Sequence, residues 1–351
     1  MSSSNPSRFL NNAAGTEYAL SPEEMFQLGV VEAFRDEVIF ADSPAIQRKI
    51  ITQGSSHQFY LMADTPDPEE HTPGDELLGQ QFEIDEGNIT IDSIVVAHHD
   101  VPLDQMKIAN FDILGPLARK TGERIARFYD NRLARLLVLT ARSASVSKNG
   151  LTVHSGGNRV TRDIASGTNE TVAEAYPVST NGASNFLDDA QALAEAMDND
   201  NVPEAGRYMW IDPYIRRVLS KDTGIWDVQY AQNASGNNLQ SRLIGKIAGF
   251  EVMVAKNRLP SANVTTGPSK YQGTFEVTDS NIAVGRPVAV VAAGGQYGMA
   301  PIGIVQHGGV ESALVPDERR NTMFIKSQVL MGAGSLHPWC AGVIEVNDSD
   351  A

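Results

Sequence analysis

A few short stretches carry side chains whose types and spacing could do chemistry. His98-His99-Asp100 offers two imidazoles and a carboxylate, the donor types of a zinc or related metal centre. On an extended strand adjacent residues face opposite sides, so this spacing seldom brings both rings to one ion. His337-Pro338-Trp339-Cys340 sets an imidazole close to the single cysteine, the pairing a thiolate nucleophile uses. Pro338 and Trp339 make a packed turn the better reading. Asp188-Asp189 supplies two carboxylates, as general acid–base catalysis needs, on a segment patterned as a soluble helix face with no pocket in view. Gly245-Lys246 lacks the Ser/Thr and upstream glycine of a phosphate-binding loop, and GGQYG (294–298) bends without a lysine. No G-x-S-x-G elbow occurs. Across 351 residues the sequence thus nominates no catalytic, cofactor-binding or metal-ligating residue and no cofactor, which favours a structural or assembly role over an enzyme. The alternative, a small-molecule α/β enzyme suggested by VAVVAAGGQYG, lacks a nucleophile, a base cluster and a cofactor fingerprint.

The charge distribution is more informative. The chain has 43 acidic and 28 basic residues, a formal net charge of −15. No Lys or Arg lies between Lys49 and Lys107, and that stretch holds twelve acids, among them Asp64, Asp67, Glu69, Glu70, Asp75 and Glu76. Residues 119–142 do the opposite: Arg119, Lys120, Arg124, Arg127, Arg132, Arg135 and Arg142 face only Glu123 and Asp130, a local charge of +5. The basic run is either a solvated helix face or a docking rail for something acidic. A nucleic-acid-binding module built on it conflicts with the overall acidity and with the scarcity of stacking aromatics beyond Phe128 and Tyr129.

The elements that would position these charges follow from pattern. Ser21 as N-cap, Pro22 at the first helical position and Glu24 in a capping box open a helix with Met25, Leu28, Val30, Val31, Phe34 and Val38 as its apolar stripe. Residues 1–20 read as a mobile arm. HQFYLMA (57–63) and QFEIDEGNITIDSIVVA (81–97) read as strands joined by a Pro- and Gly-rich acidic loop (64–79), an extended hairpin too poor in apolar residues to stand alone. Residues 111–142 keep apolar spacings of 3 and 4, a helix near ~45 Å long at ~1.5 Å per residue. An α/β region follows: a helix at 185–197, a strand at 207–211, a helix capped by Asp212, and buried strands at 250–255 and 287–293. Strands at 321–331 and 341–346 read as a closing hairpin. The lone Cys340 suits a small apolar core role in a reducing compartment. The N-terminus shows no signal-peptide h-region and no segment has about 18 apolar residues in a row, so no membrane partner is expected.

The order of these elements, together with GSSHQFYLMADT, ITIDSIVVAHHDVPLDQM running to FDILGPLARKTGERIARFYDNRL, IAGFEV and MGAGSLHPWCAGVIEV, resembles the major capsid proteins of tailed double-stranded DNA bacteriophages in the short-tailed podovirus lineage. The resemblance spans about residues 21–346. It implies an α+β chain with the HK97-type fold: an N-arm (1–48), an extended E-loop (49–100) reaching onto a neighbouring subunit, a peripheral P domain (101–182) with a spine helix (111–142), an axial A domain (183–305), and a return to the P domain (306–351). It further implies hexamers and pentamers closing an icosahedral shell around packaged double-stranded DNA without sequence-specific binding. A scaffolding protein during assembly, a portal protein at one vertex, and assembly in the bacterial cytoplasm into the virion belong to the same expectation. Some relatives cross-link through an E-loop lysine; this loop has none. Charge and resemblance together nominate an inter-subunit contact between Asp64, Glu69, Glu70, Asp75 and Glu76 of one chain and Arg119, Arg124, Arg127, Arg132 and Arg135 of the next.

Overall fold

The computed structural model describes residues 22–62, 68, 70–71, 76, 79, 84–92, 94–109, 113–148, 151–164, 171–178, 181–221, 245–277, 285–294 and 299–348. In chain order the elements are α1 (Pro22–Glu37), β1 (Gln47–Ile51), β2 (Ser56–Met62), β3 (Ile84–Thr90), β4 (Val95–Pro102), α2 (Leu103–Ile108), α3 (Leu114–Ala141), β5 (Val146–Lys148), β6 (Leu151–His154), β7 (Asn158–Ile164), α4 (Val172–Ala175), α5 (Gly182–Asn199), β8 (Arg207–Ile211), α6 (Pro213–Leu219), β9 (Lys246–Ile247), β10 (Phe250–Val254), β11 (Arg286–Ala293), β12 (Ile302–Asp317), β13 (Thr322–Ser335) and β14 (Ala341–Asp348). The long helix expected over 111–142 is α3, with 28 residues and Pro116 confined to its first turn, where a missing amide costs nothing. Among the described residues no helix is long and apolar enough to cross a membrane.

The described chain divides into two units. The first draws on residues up to Val38, Ser93–Tyr129 and His307–Met331. Here α1 packs on the first half of α3 through Gly122, where any Cβ would collide with the carbonyl of Val30 and press on Ala33 and Phe34. This close approach explains a glycine inside a long helix, a position that otherwise costs up to ~1 kcal/mol relative to alanine. It also rotates α1 away from the expected stripe. Phe26, Val30, Ala33 and Phe34 are buried, Phe34 edge-on to Tyr129 at 5.9 Å, whereas Met25 and Leu28 are 58% and 60% exposed. The cap expected at Ser21 lies outside the described residues. β4 runs antiparallel to β13, from Val95 opposite Val329 to Pro102 opposite Thr322. His98 and His99 sit exposed on β4, the His98 ring 6.0 Å from that of Phe324.

The second unit is built on a mixed six-stranded sheet, order β7-β14-β11-β8-β10-β9. The apolar runs of β11 and β14 place them inside it: β14 lies between β7 (parallel) and β11 (antiparallel). The helices α5 and α6 cover one face, with Phe186, Leu193, Met197 and Ile215 against Met209, Val291 and Ile344. Asp212 caps α6 as expected, accepting from the Tyr214 amide at 2.7 Å. Asp189, expected on a solvated helix face, is instead buried. Arg162 grips it through Nε at 2.6 Å and Nη2 at 2.7 Å, and the Tyr176 hydroxyl donates to it at 2.7 Å. Only Asp188 faces solvent.

Two expectations about strands are corrected. The strand expected over 81–97 is two, β3 and β4, which pair with different partners. The closing hairpin does not form: β13 belongs with β12 and β4, and β14 to the six-stranded sheet. The link between them holds a 3₁₀ turn, Pro338–Cys340, rather than a tight β-turn, so the chain changes sheet there. Cys340 is buried, and burial pushes its thiol up to about 12, the state of an inert core residue. His337 and His154 both lie against the Trp339 indole, at 4.9 and 6.1 Å between ring centres. Burial, with the nearby His154 adding to it, pulls His337 down to about 4.

The neutral His337 is thus the folded form's preference. Its stabilising contribution is complete above pH ~6.5, the unfolded value, and is lost as pH falls through 6.5 toward 4. The urea midpoint of the unassembled subunit should fall between pH 7 and pH 5 more steeply for the native chain than for His337→Gln. Equal slopes would place the acid sensitivity elsewhere.

Candidate assembly interface

The hairpin expected to project is present. β2 and β3 pair antiparallel from Ser56 opposite Thr90 to Met62 opposite Ile84, and the acidic loop joins their far ends. Glu70 and Glu76 are exposed; Asp64, Glu69 and Asp75 lie outside the described residues. On the strands themselves Tyr60 and Ile84 expose 69% and 50% of their surface, apolar area left uncovered within the chain.

The seven basic residues of α3 and its end divide into two groups. Toward the N-terminus Arg119, Lys120, Arg124 and Arg127 are exposed. Arg119 pairs with Glu123 one turn on, and Arg127 with Glu37, each at 3.4 Å. Toward the C-terminus the cations turn inward. Arg132 is half-buried, its guanidinium 5.3 Å from the centre of the Tyr271 ring. Arg135 is half-buried too, and burial together with neighbouring Arg132 pulls its pKa down. Arg142 is only 8% exposed. It meets Glu345 at 2.6 Å, donates to the carbonyls of Thr274 (2.7 Å) and Gly285 (2.8 Å), and lies 5.3 Å from the centre of the Phe275 ring. Arg159 holds the other oxygen of Glu345 at 2.9 Å, and that side chain is fully buried. Asp130, the acid within the basic run, accepts from the amides of Ile39 (2.8 Å) and Phe40 (3.2 Å) with Arg258 3.7 Å away. Burial nevertheless pushes its carboxyl up to about 6, against the pull of those donors.

Three of the seven basic residues therefore turn inward in their own subunit, and Glu123 and Glu37, which pair with Arg119 and Arg127, lie outside the acidic loop. Glu345 and Asp92 are the acids that sequence reasoning passed over. Glu345 carried a usable signal: a carboxylate inside the apolar run AGVIEV must find a cation. Asp92 carried none, because its partners Lys270 and Tyr271 are remote in sequence.

A two-stranded excursion, a spine helix and a mixed sheet, in this order, define a capsid subunit of the HK97-type fold. The chain superposes on the capsid of the Cyanophage P-SCSP1u with a TM-score of 0.71 at 21% identity, covering 97% of this chain and 94% of that one. It superposes on the bacteriophage PhiM1 mature capsid with a TM-score of 0.65 at 16% identity, covering 86% of each. For Mycobacterium phage Che8 the TM-score is 0.58 at 12% identity, over 88% of this chain and 90% of that one. No curated protein sequence matches it. Residues 59–345 match the Gp10A-like family, described as major capsid protein, and the chain belongs to that family. Its role is structural, and the enzyme reading is set aside: VAVVAA is the buried core strand β11.

Breaking the Arg142–Glu345–Arg159 cluster from one side should be costly. Glu345→Ala should lower the unfolding free energy of the unassembled subunit by ~3–5 kcal/mol in urea titration, because it strands buried guanidinium charge. The double replacement Arg142→Met/Glu345→Met should cost less than the sum of the two single changes, since it removes the buried pair together and leaves only the partly exposed Arg159 without its carboxylate. Additive losses would mean that the pair is not a coupled unit.

Proposed function

We propose that this major capsid protein assembles as hexamers and pentamers into an icosahedral virion shell around double-stranded DNA. A scaffolding protein would guide assembly in the bacterial cytoplasm, and a portal protein would occupy one vertex. In this reading residues 1–48 form the N-arm, 49–100 the E-loop, 101–182 and 306–351 the P domain, and 183–305 the A domain. The acidic E-loop of one subunit lies against the exposed arginines of the next subunit's spine helix. The observation that carries this contact is the split of charge: four exposed cations on the first half of α3, and twelve acids with no base over residues 50–106, the stretch that includes the loop. Arg132 and Arg135 are the weaker members of the proposed set, being half-buried in their own chain.

Each exposed pair contributes only ~0.2–1 kcal/mol, but repetition at every contact can fix register and disfavour wrong pairings. Arg124 is the better probe, because Arg127 already pairs with Glu37. Arg124→Glu should lower the yield of DNA-free shells formed with the scaffold, and Glu70→Arg or Glu76→Arg should partly restore it. Salt near 1 M, where the Debye length is ~3 Å, should weaken native assembly in the same way. Normal empty shells that fail only on genome packaging would instead place these arginines against DNA.

A further inference from the structure

The root of the β2–β3 hairpin is held by more than its own ladder. The Ile91 amide donates to the Ser55 carbonyl at 2.8 Å and closes the base. Ile89 and Phe59 form a small core with Val305 and Leu336. Beneath it the floor is made of glycines. A Cβ on Gly332 would overlap the Thr90 carbonyl oxygen, and Cβ atoms on Gly303 and Gly334 would stand 2.8 and 2.9 Å from the Ile89 side chain. Such contacts fix how deeply the hairpin sits and leave its direction to be set by whatever grips the strand's end.

That grip is on Asp92. Its carboxylate, with the side chain 8% exposed, receives the Tyr271 hydroxyl at 2.7 Å on one oxygen and Lys270 Nζ at 2.8 Å on the other. Tyr271 is itself fixed: it is buried, its oxygen accepts from the Ala333 amide at 3.2 Å, and Arg132 and Lys270 lie 5.3 and 5.2 Å from its ring centre. Burial and the Asp92 carboxylate push the Tyr271 hydroxyl well above the usual tyrosine range, so it remains a donor. The clasp joins the hairpin's exit, the 3₁₀ turn Ser269–Tyr271, the spine helix and β13 at one point.

We propose that Asp92, clasped by Tyr271 and Lys270, is the positioning residue that sets the direction in which the hairpin leaves the subunit. This rests on the reading of the hairpin as the subunit's reach onto a neighbour. Of the twelve acids between Lys49 and Lys107, Asp92 is thereby given an internal task, separate from any contact made by the loop. The exposed ends of the hairpin follow it by leverage: a small rotation at Asp92 displaces residues a full strand away.

The test uses Tyr271→Phe, which deletes one hydroxyl, in the full chain. Amide exchange in the unassembled subunit should rise roughly tenfold in 56–62 and 84–91, the size expected for loss of a charge-assisted hydrogen bond, while β8 and β11 stay unchanged. Shell yield with the scaffold should fall, with misassembled particles among the products. Asp92→Asn keeps an oxygen acceptor for Tyr271 and loses the negative charge that pairs with Lys270. It should give an intermediate effect, and it replaces Tyr271→Phe if that variant does not fold. Loosening of β8 and β11 equal to that of the hairpin, or an unchanged hairpin, overturns the clasp. If the native chain forms no shells while the hairpin still loosens selectively, the clasp stands and the assembly reading fails.

Discussion

The fold depends on one buried carboxylate. Glu345 lies in β14, inside the six-stranded sheet, with no exposed side-chain surface. An unpaired charge there would cost several kcal/mol, a large share of a domain's net stability. Two guanidinium groups solve this: Arg142, just past the end of α3, and Arg159 on β7. The second half of the spine helix is thereby tied to the inside of the sheet at a defined register, because a guanidinium fork cannot slide along a strand without breaking its bonds. Arg142 also takes up the carbonyls of Thr274 and of Gly285, the residue just before β11. Hydrophobic burial supplies most of the stabilisation, but it is non-directional. The ion cluster is what makes the placement of helix on sheet specific.

The same economy of contacts explains the basic helix in an acidic chain. Charge along α3 is not one feature. Its C-terminal arginines neutralise or stack on groups inside the subunit, and its N-terminal ones remain on the surface. Sequence counting merged the two, since net charge carries no information on burial. The helix can serve two purposes because its halves lie in different surroundings, and Gly122 permits the first half to take α1 at backbone distance.

What the sequence made legible was whatever short-range physics decides. The apolar runs of β8, β11 and β14, the Asp212–Pro213 cap and the periodicity of α3 specify their own elements. The α1 stripe was misread because Phe26/Val30/Ala33 and Met25/Leu28 both satisfy helical spacing, and the choice between them was made by a glycine on another helix. The final two strands alternate as a hairpin would, yet β14 is buried deeply enough to need partners on both edges, and the 3₁₀ turn sends it to them. Asp189 looked solvated because its partners, Arg162 and Tyr176, belong to other elements. For the candidate interface, the cations were legible by type and their availability was not.

In the proposed assembly this division has a mechanical consequence. A hairpin that carries excess negative charge repels itself and tends to splay, so its direction cannot be left to the loop. Its root must be built from contacts insensitive to that charge. The observed root meets this need: a glycine floor and the Ile89–Phe59–Val305–Leu336 core are apolar or steric, and the one acid present, Asp92, is satisfied within the subunit. In that assembly the loop's acids would act between subunits, where weak and salt-screened pairs suit a contact that must form reversibly before a shell closes. Exposed Tyr60 and Ile84 on the strands would give that contact an apolar component, which charge pairing alone would not supply. Strong ion pairing is kept inside the subunit, where it fixes shape; weak pairing is left outside, where errors must remain correctable.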